Sequence, residues 1–437
     1  MKDLFKKHID KQVTYIQSLL EKKGLDSLVI DTGLPPYYYQ DDQTIPFRPN
    51  PLFLHLCPDS GPGHILQVKK TGKPILSFFS PDDFWHEVSS FGDSFWSNHF
   101  EVKIINSEKE LWKSIDTLSG KHICLTPQPE KAAANNIPLA DNTFLSALHW
   151  SRIQKTDYEI QCLREANKIA SLGHLAAKES FFQGKSERET FQNYLIASNQ
   201  FQLDLPYGNI IAFNEKAAIL HYQNSRDFKN GHSFLIDAGA RFNGYCSDIT
   251  RTYYTEKAHP VFKSLHATIE ASQIKLCSMV SPGVDYEDIQ DQAHIDITQS
   301  LIDNDIILNS SLESALDHDL ASTFYPHGVG HGLGLQVHDV GGKQIDDEGT
   351  PSPKSKKHPY LRTLREIQPN DVLTIEPGLY FIPMLLKQLK EDATKKDFIN
   401  WNLVEELLPF GGIRIEDNIV ARAGSEPENL TRPFLPN

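Results

Sequence analysis

Several acidic residues stand where apolar strands should end. Asp237 closes the run Phe234-Leu235-Ile236 in SFLIDAGA, which reads as a buried strand. A carboxylate there needs a hydrogen-bonding partner, a counter-charge or a metal, because an unpaired buried charge is very costly. Six residues on, Asn243-Gly244 is a strong signal for a two-residue hairpin turn. Such a turn pairs Phe242 with Tyr245, and so Asp237 with Thr250. Asp248 then shares a face with Asp237 as its diagonal neighbour, roughly 7–8 Å away at the backbone. Like charges so placed repel unless a cation stands between them. Alternatively, one Asp caps a turn and the other bonds backbone. Downstream, PHGVGHGLGLQVHD holds His327, His331 and His338 among glycines that permit close backbone approach. Glu376 follows an apolar strand in DVLTIEPGLYF, and Glu416 alternates with Ile415 in GGIRIEDNIV, where Arg414 offers an ion-pair partner. Two Asp, two Glu and one neutral His balance two divalent cations. Oxygen-rich ligation with a single imidazole suits Mn²⁺ or Co²⁺ and tolerates Zn²⁺ or Fe²⁺. A structural zinc would want more Cys and His.

The elements that must position these residues divide near residues 150–156. A chain of 437 residues is too long for one core. With 23% charged and 39% hydrophobic residues it is ordinary globular material. Its net charge of −14 argues against a general nucleic-acid or anionic-membrane binder, and no apolar run is long enough to span a bilayer. The N-terminus has no signal-peptide pattern. It reads as an amphipathic helix with Phe5, Ile9, Val13, Ile16 and Leu20 on one stripe and Gly24 as its stop. Apolar runs at 27–30, 75–79, 102–105 and 122–125 predict a small α/β domain with a buried sheet. Residues 35–51, aromatic and proline-rich, read as a long loop, and 343–359 as an exposed excursion. Thr156 with Glu159 and Ser186 with Glu189 form capping boxes that open two helices, the first running to about Phe182. Further helices are expected near 259–280 and 285–301. Five cysteines with no CxxC predict free thiols in a reducing cytoplasm.

The segments LPYGNIIAFNEKAAILHY, LIDAGARFNGYCSDITRTY, PHGVGHGLGLQVHDVGG, TIEPGLYF and GGIRIEDNIV, in this order, resemble the pita-bread metallopeptidases, most closely the bacterial proline dipeptidases. The resemblance implies an α+β fold. A smaller α/β domain over 1–152 precedes a pita-bread (creatinase/aminopeptidase-like) catalytic domain over 153–437. It implies a dinuclear hydrolase that cleaves Xaa-Pro dipeptides through a hydroxide held between two metal ions, Mn²⁺ first among them. The family's metal ligands fall on Asp237, Asp248, His331, Glu376 and Glu416. Its substrate-contacting positions fall on Tyr207, His221, His327, His338 and Arg414, with Glu376, His221 and His338 catalytic. Family members are usually homodimers. An acidic residue of the N-terminal loop reaches the partner's site in some relatives; whether Asp41 or Asp42 does so here stays open, because the loop departs from the family around them. Arg414 offers a planar fork for the carboxylate that ends a dipeptide. Three other readings are weighed: an Xaa-Pro aminopeptidase acting on longer peptides, a metal-free binding module, and a side activity on organophosphorus triesters. Retention of all five ligand positions counts against the second.

Overall fold

The opening helix, Lys2–Lys23, ends as its sequence demands. Gly24 takes φ 62°, the left-handed conformation a glycine adopts without penalty, and its N–H returns to the last turn. Phe5, Ile9, Ile16 and Leu20 are buried, with Val13 half-buried. The computed structural model describes residues 1–436 apart from 60, 86, 89 and 116–119. It separates into two units. One comprises Met1–Arg152, Thr156–Gln161 and Asp346–Gly349; the other comprises Ile153–Lys155, Cys162–Ile345 and Thr350–Asn437.

The first unit holds a five-stranded mixed sheet of β1 (Ser27–Asp31), β2 (Ile65–Lys69), β3 (Ile75–Phe79), β4 (Glu101–Ile105) and β5 (His122–Leu125), in the order β4-β3-β2-β1-β5. Strand β2 is unanticipated, because Gln67 interrupts its apolar run. The sheet tolerates that amide, which is buried and donates to Ser27 Oγ at 3.0 Å. The expected buried strand at 102–105 is instead a largely exposed edge strand, with Ile104 51% exposed. Between β1 and the helix Pro51–Leu56 the chain is irregular apart from a bridge between Tyr37 and Thr44, and Asp41 and Asp42 sit exposed near its tip. The segment 343–359 is mostly exposed, but its residues Asp346–Gly349 belong to the first unit.

In the second unit the helices Pro260–Ser278 and Tyr286–Asp303 contribute Phe262, Leu265, Ile269, Ile289, Ile297 and Leu301 to a large core. Each such fully buried side chain stabilises the fold by about 1.5–3 kcal/mol. The core covers β11 (Val372–Ile375), β12 (Gly378–Tyr380), β13 (Gly412–Arg414) and β14 (Asp417–Val420); β11 pairs antiparallel with β14, β12 with β13, and β15 (Glu428–Asn429) extends β14. A second antiparallel sheet joins β6 (Ile210–Phe213), β7 (Ser233–Asp237) and β10 (Thr250–Tyr254), with the short hairpin β8 (Arg241–Phe242) and β9 (Tyr245–Cys246) between the latter two. Both capping-box helices form, as Asp157–Phe182 and Glu187–Ser198.

Residues 329–331 run beside β11 without being a regular strand. Glu376 N donates to Val329 O at 2.8 Å, and Thr374 N to His331 O at 2.9 Å. This close approach needs Gly330: a Cβ there would lie 2.1 Å from Thr374 O, backbone that cannot yield, and its φ of 153° strains other residues. At Gly332 the nearest atom to such a Cβ is 3.9 Å away. Gly330→Ala is therefore expected to cost at least about 2 kcal/mol, the scale of overpacking, and Gly332→Ala under about 1 kcal/mol. Urea midpoints of the two variants test this; equal costs would show that the backbone approach is not the constraint.

Candidate metal centre and active site

The hairpin register places the first two carboxylates. Asn243 and Gly244 both take positive φ, 48° and 84°, and Phe242 pairs with Tyr245 and Asp237 with Thr250 as the turn requires. Asp248 follows β9, its backbone N–H bound to Asn418 Oδ1 at 3.1 Å on β14. The Tyr207 hydroxyl lies 2.8 Å from Asp237 Oδ1 and 2.6 Å from Asp248 Oδ1, bridging the two acids. Packing of the glycine-rich segment on β11 delivers His331. Its Nε2 is 3.4 Å from Asp248 Oδ2 and 3.7 Å from Glu376 Oε1. Its Nδ1 lies 3.1 Å from Gly332 O and donates to it, so Nε2 is the atom open to a cation. Burial opposes a proton on Nε2, but Asp248 favours one there and His331 is raised in the metal-free site; a cation would displace that proton. Glu416 enters through a bridge between its backbone and Thr250, whose hydroxyl donates to Glu416 Oε2 at 2.7 Å. Ligand atoms of Asp248, His331 and Glu416 all lie within 4.8 Å of one another, and all three residues are buried.

The electrostatics are those of too many acids in one place. Burial raises Glu376 from its ordinary 4.5 to about 7, and burial with the neighbouring carboxylates raises Asp237 and Glu416. Burial opposes ionisation of Asp248 as well, but His331 and Tyr207 outweigh it and hold Asp248 low. Glu416 Oε1 is buried with no hydrogen-bond partner among the described residues. An orphaned carboxylate oxygen among three further acids, beside an imidazole whose Nε2 can give up its proton, fits a divalent cation as its missing partner. A second cluster, His8, His55 and Glu159 in the first unit, is different. Both His8 nitrogens are engaged, Nδ1 with Thr156 Oγ1 at 2.9 Å and Nε2 with His55 O at 2.6 Å, so it reads as a packed polar network.

Around the acids stand the remaining expected residues. Arg414 is buried, and its ion pairs go to Asp237 (Nη2–Oδ2, 2.5 Å) and Glu376 (Nε–Oε2, 3.9 Å) rather than to Glu416. It also donates to Tyr380 OH at 2.8 Å, and Tyr380 in turn reaches His327 Nε2 at 2.9 Å. Burial and the charge of Arg414 push His327 down to about 3, so its imidazole is neutral. His338 is exposed, its ring 4.3 Å from that of His331. Burial of part of the ring and the charge of His331 lower it to about 4. His221 is exposed and near enough for its charge to lower both His327 and His338. Sequence reasoning missed Thr250, Tyr380 and Asn418 as participants. Thr250 was detectable from the hairpin register, which sets it opposite Asp237; Tyr380 and Asn418 gave no such signal.

The chain belongs to metallopeptidase family M24, whose model matches residues 161–423, and a model described as the Xaa-Pro dipeptidase N-terminal domain matches residues 3–150. It is 42% identical over 432 residues to an Xaa-Pro dipeptidase of Shewanella woodyi, covering 98% of this chain and 97% of the relative. Over 435 residues it is 42% identical to an Xaa-Pro dipeptidase of Shewanella oneidensis, covering 97% of each. Among solved structures it is similar to proline aminopeptidase P II from Yersinia pestis (TM-score 0.74, 23% identity, covering 100% of this chain and 97% of that one). It is also similar to zinc-substituted Escherichia coli aminopeptidase P in complex with product (TM-score 0.73, 22% identity, covering 100% and 96%). The fold is accordingly α+β, with a pita-bread catalytic domain behind a smaller α/β domain.

Because burial holds Glu376 near 7, the metal-free site keeps a proton at pH 6 that a cation must displace. Adding Zn²⁺ to metal-free protein in weak buffer at pH 6 is expected to release protons, and affinity to fall as pH drops below about 7. Glu376→Gln should release about one proton fewer; identical release by both proteins would place the proton on another acid.

Proposed function

We propose that this chain is a dinuclear-metal dipeptidase that hydrolyses Xaa-Pro dipeptides to a free amino acid and proline, with its catalytic domain over 153–437. The observation that carries the reading is the buried trio of Asp248, His331 and Glu416, with its orphaned Glu416 oxygen and with the half-buried Asp237 and Glu376 beside it. The near full-length likeness to proteins named Xaa-Pro dipeptidase supports the substrate class. Asp237, Asp248, His331, Glu376 and Glu416 would hold two divalent cations, and the oxygen-rich set favours Mn²⁺ over Co²⁺, Zn²⁺ or Fe²⁺. When bound, such cations make water a usable nucleophile near neutral pH and polarise a scissile carbonyl.

The chain's own groups do the rest. Glu376 accepts a proton from the attacking water and passes it to the leaving proline nitrogen. His221 and His338, both exposed at the site, donate to the developing oxyanion or leaving group. His327, kept neutral and fixed by Tyr380, and Tyr207 line the substrate's path. Arg414 spends one N–H on Asp237, one on Tyr380 and one on Thr250, which leaves an N–H on each terminal nitrogen for a dipeptide carboxylate. We place the enzyme in the cytoplasm as a homodimer. The five free, buried cysteines support a reducing compartment, and the exposed aromatic loop with Tyr39 90% exposed supports a contact with a second copy.

Hydrolysis of Ala-Pro, Leu-Pro and Ala-Pro-Gly with added Mn²⁺ tests the proposal. Cleavage of the dipeptides, abolished by chelation and restored by Mn²⁺, is expected. Preference for Ala-Pro-Gly would identify an aminopeptidase, and full activity without metal would overturn the dinuclear reading. Arg414→Ala is expected to lower kcat/KM on a dipeptide by roughly 30- to 1000-fold, the cost of one charge-assisted bond in a closed site. The loss on a C-terminally amidated Xaa-Pro should be at least about tenfold smaller. Equal losses with reduced metal content would mean that Arg414 serves Asp237 alone.

A further inference from the structure

We propose that Lys155 is a positioning residue for His338, acting through a buried ion pair with Asp339, and that residue 334 is glycine because that pair occupies its side-chain space. The inference rests on the reading of His338 as a group that faces substrate. Lys155 Nζ lies 2.8 Å from Asp339 Oδ2, with side-chain exposures of only 4% and 2%. A buried pair of this kind is a weak source of stability, since desolvation offsets most of its attraction. Its geometry is what the site uses. Asp339 adjoins His338, and its N–H returns to Gly332 O at 2.8 Å, closing the loop that leaves His331 and comes back at His338. Within the loop, Gly334 N donates to Gln336 O at 3.1 Å, and Gly334 O accepts from Cys246 N at 2.8 Å, two residues before Asp248. A Cβ on Gly334 would fall 2.1 Å from Asp339 Oδ2 and 3.0 Å from Lys155 Cε. Lys155 is itself fixed, its backbone N–H bound to Asn370 O at 3.0 Å, just ahead of β11, the strand that leads to Glu376. The ammonium thus pins the loop carrying one imidazole to the strand carrying the general base.

Three variants separate this role from a merely structural one: Lys155→Met, Lys155→Met with Asp339→Asn, and Gly334→Ala. Each is measured for kcat and KM on Ala-Pro and for bound metal. The ¹⁵N imidazole spectrum of each Zn²⁺-loaded enzyme is recorded, with the His338 signal assigned by its loss in His338→Asn. All three are expected to lose about 10- to 100-fold in kcat, the scale of a misplaced group, with KM within about twofold and metal content unchanged. The His338 signal should move while that of His327 stays. The double variant leaves no unpaired buried charge, so it carries the same expectations if Lys155→Met does not fold. Unchanged kcat, activity lost only in proportion to metal, or equal shifts of every histidine signal would each overturn the inference. If the wild-type enzyme cleaves no Xaa-Pro substrate, the proposed function fails, and the His338 signal alone decides the positioning role.

Discussion

Four carboxylates converge on one buried point, and much of the second unit is arranged around the cost of keeping them there. Burial raises Glu376 to about 7 against the pull of His331 and Arg414, and burial with the neighbouring carboxylates pushes Asp237 and Glu416 upward too. Without a cation the cluster must hold protons; with one, its negative charge becomes attraction. The groups that touch the acids each relieve part of the repulsion. Tyr207 shares its hydroxyl between Asp237 and Asp248, Thr250 donates to Glu416, and Arg414 sets its charge against Asp237. Glu416 Oε1 is left over, and that residue of unmet hydrogen bonding is what points to a metal.

A second ring of charge holds the backbone that carries the acids. Arg251, buried, donates to Glu416 O at 2.8 Å and Thr250 O at 2.9 Å and pairs with Asp417 Oδ1 at 2.7 Å. Burial would raise Asp417, yet Arg251 and Arg432 together pull it down to about 2. Adjacent acids on one strand thus have opposite fates: Glu416 faces the cluster and is raised, and Asp417 faces two guanidinium groups and stays ionised. The alternation of a strand explains the difference, since neighbouring side chains point to opposite faces. Arg365, buried, grips Asp371 with two bonds of 2.6 and 2.9 Å at the start of β11 and similarly fixes the strand leading to Glu376. Such pairs stabilise little by themselves. They set the acids' positions to within the tolerance a metal ligand needs.

The hairpin shows how much of such a site a short sequence can specify. Asn243-Gly244 requires positive φ at both residues, the turn fixes the register, and the register sets Asp237 against Thr250 with no help from the rest of the molecule. The capping boxes at Thr156 and Ser186 were legible for the same reason: their donors and acceptors lie within one helical turn. Strand β2 was not, because Gln67 looks polar until Ser27, forty residues away, satisfies it.

By itself the sequence determined the chemical inventory and its local geometry: acids at strand ends, glycines where backbones must touch, and turns that set registers over a few residues. The tertiary structure decided the partners. Arg414 stands two residues from Glu416 yet pairs with Asp237, 177 residues away, because the contact of β13 with β7 brings Asp237 within reach. Tyr380 links Arg414 to His327, and Lys155 reaches Asp339 across 184 residues. Local propensity cannot anticipate such contacts. They exist only where the packing of the core sets the distances and burial removes the water that would otherwise satisfy each group alone.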